Sequence, residues 1–192
     1  MNASTAIAIG LLAIGGWALA LAPASRKPAP APVQLNGASA QILFTPWDDA
    51  EGAIVAAIRG ARKQLLVQAY TFTSRAVARA LIEAKARGVD VRITADQGEA
   101  ERFEVGRIGE LAAAGIPVWV ETRYQSAHNK VMVIDAGEPG AAVITGSYNW
   151  TFAAQRVNAE NVVIIRGAPE FAARYKSNWE RHQADAVAYR PK

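Results

Sequence analysis

The sequence contains no cysteine and only two histidines, His128 and His182. The lack of cysteine excludes disulfide bonds, a thiolate nucleophile and a zinc site built on cysteine. A domain of this size can fold without disulfide bonds, so the composition remains compatible with export from the cytoplasm. Any chemistry that requires an imidazole must use one of these two side chains.

Charged side chains are absent from the first 25 residues. Residues 7–21 form an apolar run of Ala, Ile, Leu and Gly with one Trp, a composition that partitions into a bilayer. Small residues after this run would suit a signal peptidase, whereas the segment before it lacks the Lys or Arg typical of a signal peptide. We interpret residues 1–25 as a signal peptide or a membrane anchor, with a buried core helix as a minor alternative. The first two interpretations place the rest of the chain in the periplasm, outside the cell, or at a membrane through residues 7–21.

Alanine and proline dominate residues 26–37, which predicts an extended linker. No internal repeat follows, so we expect one domain over residues 38–192. The formal net charge is +4, and every charged side chain lies after Ser25. This basic excess weakly favours a polyanionic partner, although the same charge also aids solubility.

The first half of the domain alternates strand and helix patterns, which indicates an α/β fold. Acidic residues after Pro46 favour the start of a helix, and Thr73 or Ser74 is expected to cap the next one. The predicted strands are 41–44, 65–70, 89–94 and 116–120, and the predicted helices are about 46–60, 73–88 and 102–114.

The second half predicts three more strands and a final helix. Apolar runs at 131–134 and 141–145 flank a hairpin-like connection, and a third run follows at 162–165. The helix predicted at 169–182 carries Phe171, Tyr175 and Trp179 at helical spacing, a pattern typical of core packing. We expect a mixed β-sheet flanked by helices on both faces.

Five polar residues in this half have the spacing of a site that handles phosphate. Alternation along a strand places His128 and Lys130 on one side, where an ammonium could neutralise phosphoryl oxygens while a neutral imidazole attacks phosphorus. Ser147 and Asn149 are also two residues apart and could donate hydrogen bonds to phosphate oxygens. Glu160 begins the next strand and could hold the second nitrogen of a histidine.

His128, Lys130 and Asp135, followed by Gly-Ser-x-Asn at 146–149, resemble the motif of the phospholipase D superfamily. Segments 69–74, 86–91 and 158–161 resemble the small single-motif bacterial endonucleases of that superfamily. The resemblance extends from about residue 40 to 182 and implies a phospholipase D-like fold with one motif per chain. It also implies a covalent phosphohistidine intermediate and no metal or other cofactor.

The resemblance further implies individual roles for the motif residues. His128 is the expected nucleophile, Lys130, Ser147 and Asn149 are expected to bind the phosphoryl group, and Glu160 is expected to orient a histidine. Asp135 matches the acid of the motif and is counted with the catalytic residues, although we expect its role to be more structural than chemical.

Members of this family use two histidines, because expelling an alkoxide at neutral pH needs a general acid. Here the second histidine, His182, has no motif around it and is expected to be a solvated residue near a helix end. We therefore expect a homodimer in which each chain contributes His128 to a shared active site.

Three functions are compatible with these features. The first is a nonspecific, metal-independent endonuclease that cleaves DNA, with RNA as a further substrate. The second is a phospholipase D that hydrolyses the headgroup phosphodiester of phospholipids. The third is a noncatalytic nucleic-acid-binding subunit tethered to a membrane, which the intact motif argues against.

Several residues near the motif could line a groove for a nucleic-acid backbone and stack bases. The same residue types are more often ordinary surface and core positions, so none receives an individual role. They are Arg102, Arg107, Arg123, Tyr124, Trp150 and Arg156.

Overall fold

The computed structural model describes residues 31–101 and 106–190. The predicted signal peptide or anchor, the first part of the linker and the first residues of the helix predicted at 102–114 lie outside the described residues. Within the described ranges, no helix is long and apolar enough to cross a membrane.

Eight strands form one mixed sheet in the order β1-β7-β6-β5-β2-β3-β4-β8. The strands are β1 Ser39–Thr45, β2 Gln64–Ala69, β3 Asp90–Asp96, β4 Val118–Glu121, β5 Lys130–Ile134, β6 Ala142–Gly146, β7 Glu160–Arg166 and β8 Val187–Ala188. Strands β2, β3 and β4 are parallel, and the other pairs are antiparallel.

Helices cover both faces of this sheet, which confirms the predicted fold class. The helices are α1 Ala50–Gly60, α2 Arg75–Ala86, α3 Gln97–Ala100, α4 Ile108–Ala113, α5 Phe152–Arg156 and α6 Pro169–Asp185. One core packs apolar residues of α1, α2 and α4 against the sheet, and a second core packs α6 against the opposite face. Trp179 is 1% exposed in the second core, as its helical spacing predicts.

The two helices that follow β1 and β2 start at capping side chains. Asp49 accepts a hydrogen bond from the backbone N–H of Gly52 at the start of α1, and Ser74 accepts one from Val77 at the start of α2. Three short elements were not predicted: α3, α5 and β8. Each has five residues or fewer, too few to show a period in the sequence.

The register aligns the ends of several neighbouring strands, so that they form one edge of the sheet running across the strands. Lys130 pairs with Ala69, Asp96 pairs with Glu121, and Thr45 pairs with Glu160. The ends of β2, β3, β4 and β6 and the starts of β5 and β7 therefore lie together. We call this the His128 edge, defined by Ala69, Asp96, Glu121, Lys130, Gly146 and Glu160.

Candidate functional site

Lys130 and His128 meet at the start of β5. The Nζ of Lys130 lies 2.9 Å from Nδ1 of His128 and donates a hydrogen bond to the His128 carbonyl oxygen at 2.8 Å. Tyr70, the first residue after β2, packs against both groups. The centre of its ring lies 4.2 Å from the centre of the imidazole and 4.6 Å from Nζ of Lys130. The predicted pair is therefore held together, with an aromatic ring behind it.

Lys130 is buried, whereas His128 is exposed. Burial lowers the pKa of the Lys130 ammonium, and the carboxylates of Glu160 and Asp96 offset part of that effect. A buried ammonium can stabilise the negative charge that develops on a phosphoryl group. The site thus combines a buried cation with an exposed imidazole.

The contact between Lys130 and His128 sets the tautomer of the ring. An ammonium has donors only, so Nδ1 must accept, and a neutral imidazole then carries its proton on Nε2. Nucleophilic attack by Nε2 requires the other tautomer, with the proton on Nδ1. The arrangement is therefore a resting one, and the Lys130 ammonium has to turn from the ring before attack.

Gly146 allows the ends of β6 and β7 to approach closely. Its φ is +149°, and a Cβ at this position would lie 2.1 Å from the carbonyl oxygen of Asn161. The same carbonyl accepts the backbone N–H of Ser147 at 3.1 Å. The glycine of the Gly-Ser-x-Asn motif is thus required by a backbone contact, and this contact places Ser147 at the His128 edge.

Ser147 and Glu160 are joined directly. The Ser147 hydroxyl donates to Glu160 Oε2 at 2.5 Å and accepts the backbone N–H of Asn161 at 3.1 Å. Asn158 donates to the other oxygen of Glu160 at 2.8 Å. The two oxygens of Glu160 are therefore both engaged, and within the described part of the chain neither accepts a hydrogen bond from a histidine. The expected link from Glu160 to a histidine is not made inside one subunit.

Asn149 and Trp150 fasten the motif loop to β2. The Trp150 indole donates to the Gln68 carbonyl at 3.1 Å, and its own carbonyl accepts the N–H groups of Thr73 and Ser74. The Oδ1 of Asn149 lies 3.5 Å from the backbone nitrogen of Thr71, which is a long contact. With Oδ1 on this side, the Nδ2 donor of Asn149 faces away from Thr71. Trp150 is 1% exposed, so its ring belongs to the core and cannot stack on a base.

Asp135 lies at the opposite end of β5 from His128. Its carboxylate accepts three backbone hydrogen bonds from Arg62, Lys63 and Gln64, at 2.7 to 2.9 Å. These bonds secure the turn that leads into β2. The structure does not bring Asp135 to the site, and its contacts support the structural role rather than the catalytic one.

Two residues at the site were not singled out from the sequence. Tyr70 packs against His128 and Lys130, and Asp96 is buried at the end of β3, where its Oδ2 accepts the N–H of Ala127 at 2.8 Å. Tyr70 directly follows β2, and Asp96 is the last residue of β3. Polar side chains at the carboxyl ends of neighbouring parallel strands lie close together. The resemblance covers Tyr70 through segment 69–74 but gives it no role, and Asp96 lies outside the matching segments.

His182 is paired with Glu121, not with the motif. Its Nδ1 lies 2.5 Å from Glu121 Oε2, and the Glu121 side chain is 3% exposed. The expectation of a solvated histidine is therefore wrong, because the ring is half-buried against a carboxylate. This pair lies at the end of β4, which is the third strand from β5 in the sheet. His182 is therefore not placed to protonate a leaving group at His128.

The cationic residues considered for a groove have mixed environments. Arg107 pairs with Glu110 and Arg123 with Asp185, whereas Arg156 is the exposed last residue of α5. Arg102 lies outside the described residues. Two cavities of about 430 and 350 Å³ lie elsewhere, one against α6 and the other beside Asp135. Among residues 31–101 and 106–190, no group of three or more His, Asp and Glu could hold a metal ion.

Comparison with known proteins gives consistent matches. The family model described as "Cardiolipin synthase, PLD-like domain" matches residues 54–183. A phospholipase D of Rickettsia bellii is 37% identical over 151 residues, which cover 79% of this chain and 72% of that protein. A mitochondrial cardiolipin hydrolase of Xenopus laevis is 33% identical over 134 residues, which cover 70% of this chain and 61% of that protein. The crystal structure of Nuc, a phospholipase D family member of Salmonella typhimurium, matches with a TM-score of 0.70 and 33% identity, covering 80% of this chain and 99% of Nuc.

Proposed function

The chain belongs to the phospholipase D superfamily as a phosphodiester hydrolase with a single motif, and on this premise we propose that it is a metal-independent nuclease. Its proposed substrate is DNA, and RNA by the same chemistry. The observation that carries the proposal is the buried Lys130 ammonium held against the exposed His128 at an open sheet edge. An open edge suits a polymer that must pass along the protein, and the net charge of +4 suits a polyanion.

The proposed reaction begins when a phosphodiester displaces the Lys130 ammonium from the imidazole. Phosphate oxygens are charged acceptors and compete better for the ammonium than a neutral ring nitrogen. Nδ1 can then carry the proton, and Nε2 of His128 attacks phosphorus. The N–P bond forms as the P–O bond to the leaving alcohol breaks, and the leaving oxygen takes a proton from a general acid, which gives a phosphohistidine and a free hydroxyl end. Lys130 and the Nδ2 donor of Asn149 stabilise the nonbridging oxygens, and Ser147 does so when its hydroxyl turns from Glu160. Water then hydrolyses the phosphohistidine.

A second subunit completes the proposed site. The leaving oxygen needs a proton, and His182 is committed to Glu121 three strands away. The remaining source is His128 of another copy, brought across a twofold axis. The same partner would supply an acceptor for Nδ1, which has none among the described residues of one chain.

The proposed location is outside the cytoplasm, in the periplasm, secreted, or held at a membrane through residues 7–21. This proposal rests on the uncharged, apolar start of the chain.

Hydrolysis of phospholipid headgroups is a second candidate. It is favoured by the names of the relatives from Rickettsia bellii and Xenopus laevis, a phospholipase D and a cardiolipin hydrolase. The attack on phosphorus would be the same for both substrates, so the fold does not separate them.

The test is cleavage of supercoiled plasmid in EDTA, beside choline release from phosphatidylcholine vesicles and hydrolysis of cardiolipin vesicles by the same preparation. Plasmid nicking in EDTA that disappears in His128→Ala supports the nuclease. Headgroup hydrolysis without nicking would replace it with the second candidate, and nicking by His128→Ala would remove the proposed nucleophile.

A further inference from the structure

Tyr124 is an exposed aromatic residue on the loop that presents the nucleophile. The loop runs from the end of β4 to the start of β5, and Tyr124 precedes His128 by four positions. Its ring is 46% exposed and packs against the ring of His182, with centroids 5.3 Å apart and planes at 36°. One face of Tyr124 is therefore supported by protein, and its side chain remains largely open to solvent.

The support beneath Tyr124 is unusually firm for a surface side chain. Glu121 is buried and holds Nδ1 of His182 at 2.5 Å, which fixes the imidazole plane. Arg123, the neighbour of Tyr124, pairs with Asp185 at 2.5 Å, so the last turn of α6 holds the loop at a second point. Ala127 is held by Asp96 on the other side of the loop. Tyr124 thus packs on a ring that is itself held in place, and its loop is attached at points on both sides.

A fixed, exposed aromatic ring is suited to stacking on a planar ligand. Every nucleobase has a flat apolar face, and stacking on an aromatic side chain stabilises single-stranded nucleic acid without sequence preference. A ring that is already immobile loses little conformational entropy when a base stacks on it.

The position of this ring along the His128 edge sets which base it could meet. Strands β5, β2, β3 and β4 are neighbours in that order, so the start of β5 and the end of β4 are about 14 Å apart at roughly 4.8 Å per strand spacing. A nucleic-acid strand crosses such a distance in a few nucleotides. The ring would therefore meet a base that flanks the scissile phosphate.

We propose that Tyr124, supported by His182 and Glu121, is a base-stacking subsite that holds an unpaired base a few nucleotides from the cleaved bond. This proposal rests on the proposed nuclease function and adds to it a preference for single-stranded substrate. In a duplex the bases stack on each other, so the subsite is filled only when the flanking nucleotides are unpaired. A duplex is then bound through its phosphates alone.

The test compares Tyr124→Ala and Tyr124→Phe on three substrates: a single-stranded DNA oligonucleotide, the same oligonucleotide with abasic sites flanking the cleaved bond, and bis-p-nitrophenyl phosphate. Loss of stacking in Tyr124→Ala should raise KM for the first by about tenfold and leave the other two unchanged. Tyr124→Phe keeps the ring and should behave as the wild type. Gln125→Ala, an exposed neighbour on the same loop, is the matched control.

A binding measurement separates this subsite from the nuclease function. In a His128→Asn background, stacking should quench the fluorescence of 2-aminopurine placed at the flanking positions, and Tyr124→Ala should remove the quenching. Quenching that depends on Tyr124, without cleavage by the wild type, would keep the subsite and reject the nuclease. Cleavage with no effect of Tyr124→Ala, or an equal loss on all three substrates, would overturn the subsite, as would the absence of any quenching.

Discussion

Lys130 directs its ammonium at Nδ1 of His128, the ring nitrogen that must carry the proton when Nε2 attacks. The ammonium therefore blocks the reactive tautomer until something draws it away. A phosphodiester can do so because its oxygens are charged acceptors. Substrate binding and activation of the nucleophile are then one event.

Replacing this ammonium should remove activity without unfolding the protein. We expect Lys130→Gln to lower kcat by about 10² to 10³, as is typical when a fixed donor to transition-state charge is lost. The control is Lys63→Gln, an exposed lysine that pairs with Glu138. Single-turnover cleavage of an oligonucleotide measures the effect. Equal losses in the two variants would contradict a specific role for Lys130.

The charge of Lys130 should depend on Glu160. Burial lowers the pKa of Lys130, and Glu160 raises it again in part, so removing that carboxylate should lower the pKa further. Function that needs the ammonium is present below this pKa and is lost as the pH rises through it. In Glu160→Gln the alkaline loss should therefore occur at lower pH, which NMR titration of lysine labelled at ¹³Cε can follow. Glu170→Gln changes an exposed residue at the start of α6 and should leave the Lys130 titration unchanged. A Lys130 titration that moves to higher pH in Glu160→Gln would refute the coupling.

Asp135 should matter for stability more than for chemistry. Asp135→Ala leaves three backbone N–H groups without their acceptor, and we expect the free energy of unfolding to fall by about 3 kcal/mol. Urea denaturation measures this fall, and kcat at low temperature should stay near the wild-type value. A variant of unchanged stability that has lost kcat would show a chemical role instead.

Gly146 and Gly140 form a matched pair for substitution by alanine. A Cβ at Gly146 meets the Asn161 carbonyl, whereas one at Gly140 meets nothing within 4 Å. Gly146→Ala should push the ends of β6 and β7 apart, move Ser147 away from the His128 edge and remove most activity. Gly140→Ala should be neutral in both activity and thermal unfolding. Full activity in Gly146→Ala would show that the close approach of β6 and β7 is dispensable.

The shared site can be tested by mixing subunits. If both copies of His128 act on one phosphorus, a dimer with one His128→Ala subunit is inactive. An equal mixture, exchanged to equilibrium, should then keep about a quarter of the activity, because only pairs of wild-type chains work. A remaining activity of one half would mean that each chain acts alone.

The larger elements could be predicted from the sequence, because their apolar periods are long enough to read. Strand β5 and helix α6 lie within a few residues of their predicted bounds. Helix α4 could not be bounded in this way: the prediction began at 102, whereas α4 starts at Ile108. No period in the sequence marks such a late start.

The site could be predicted only as far as the motif reaches. The pairing of His128 with Lys130 follows from alternation along a strand, and the structure brings these two together. Tyr70 and Asp96 reach the same place through the register of β2 and β3 against β5, which depends on tertiary pairing. The partner of His182 was unpredictable for the same reason, since Glu121 is distant in sequence.

The strand order also bears on how the protein is made. Among the described strands, β1 pairs only with β7, so β1 is synthesised well before the strand that it pairs with. Until then Ile42 and Phe44 have no sheet beside them, and Thr45 has no Glu160 to pair with. A nascent chain consequently has no assembled His128 edge until residues 160–166 of β7 have been synthesised and paired.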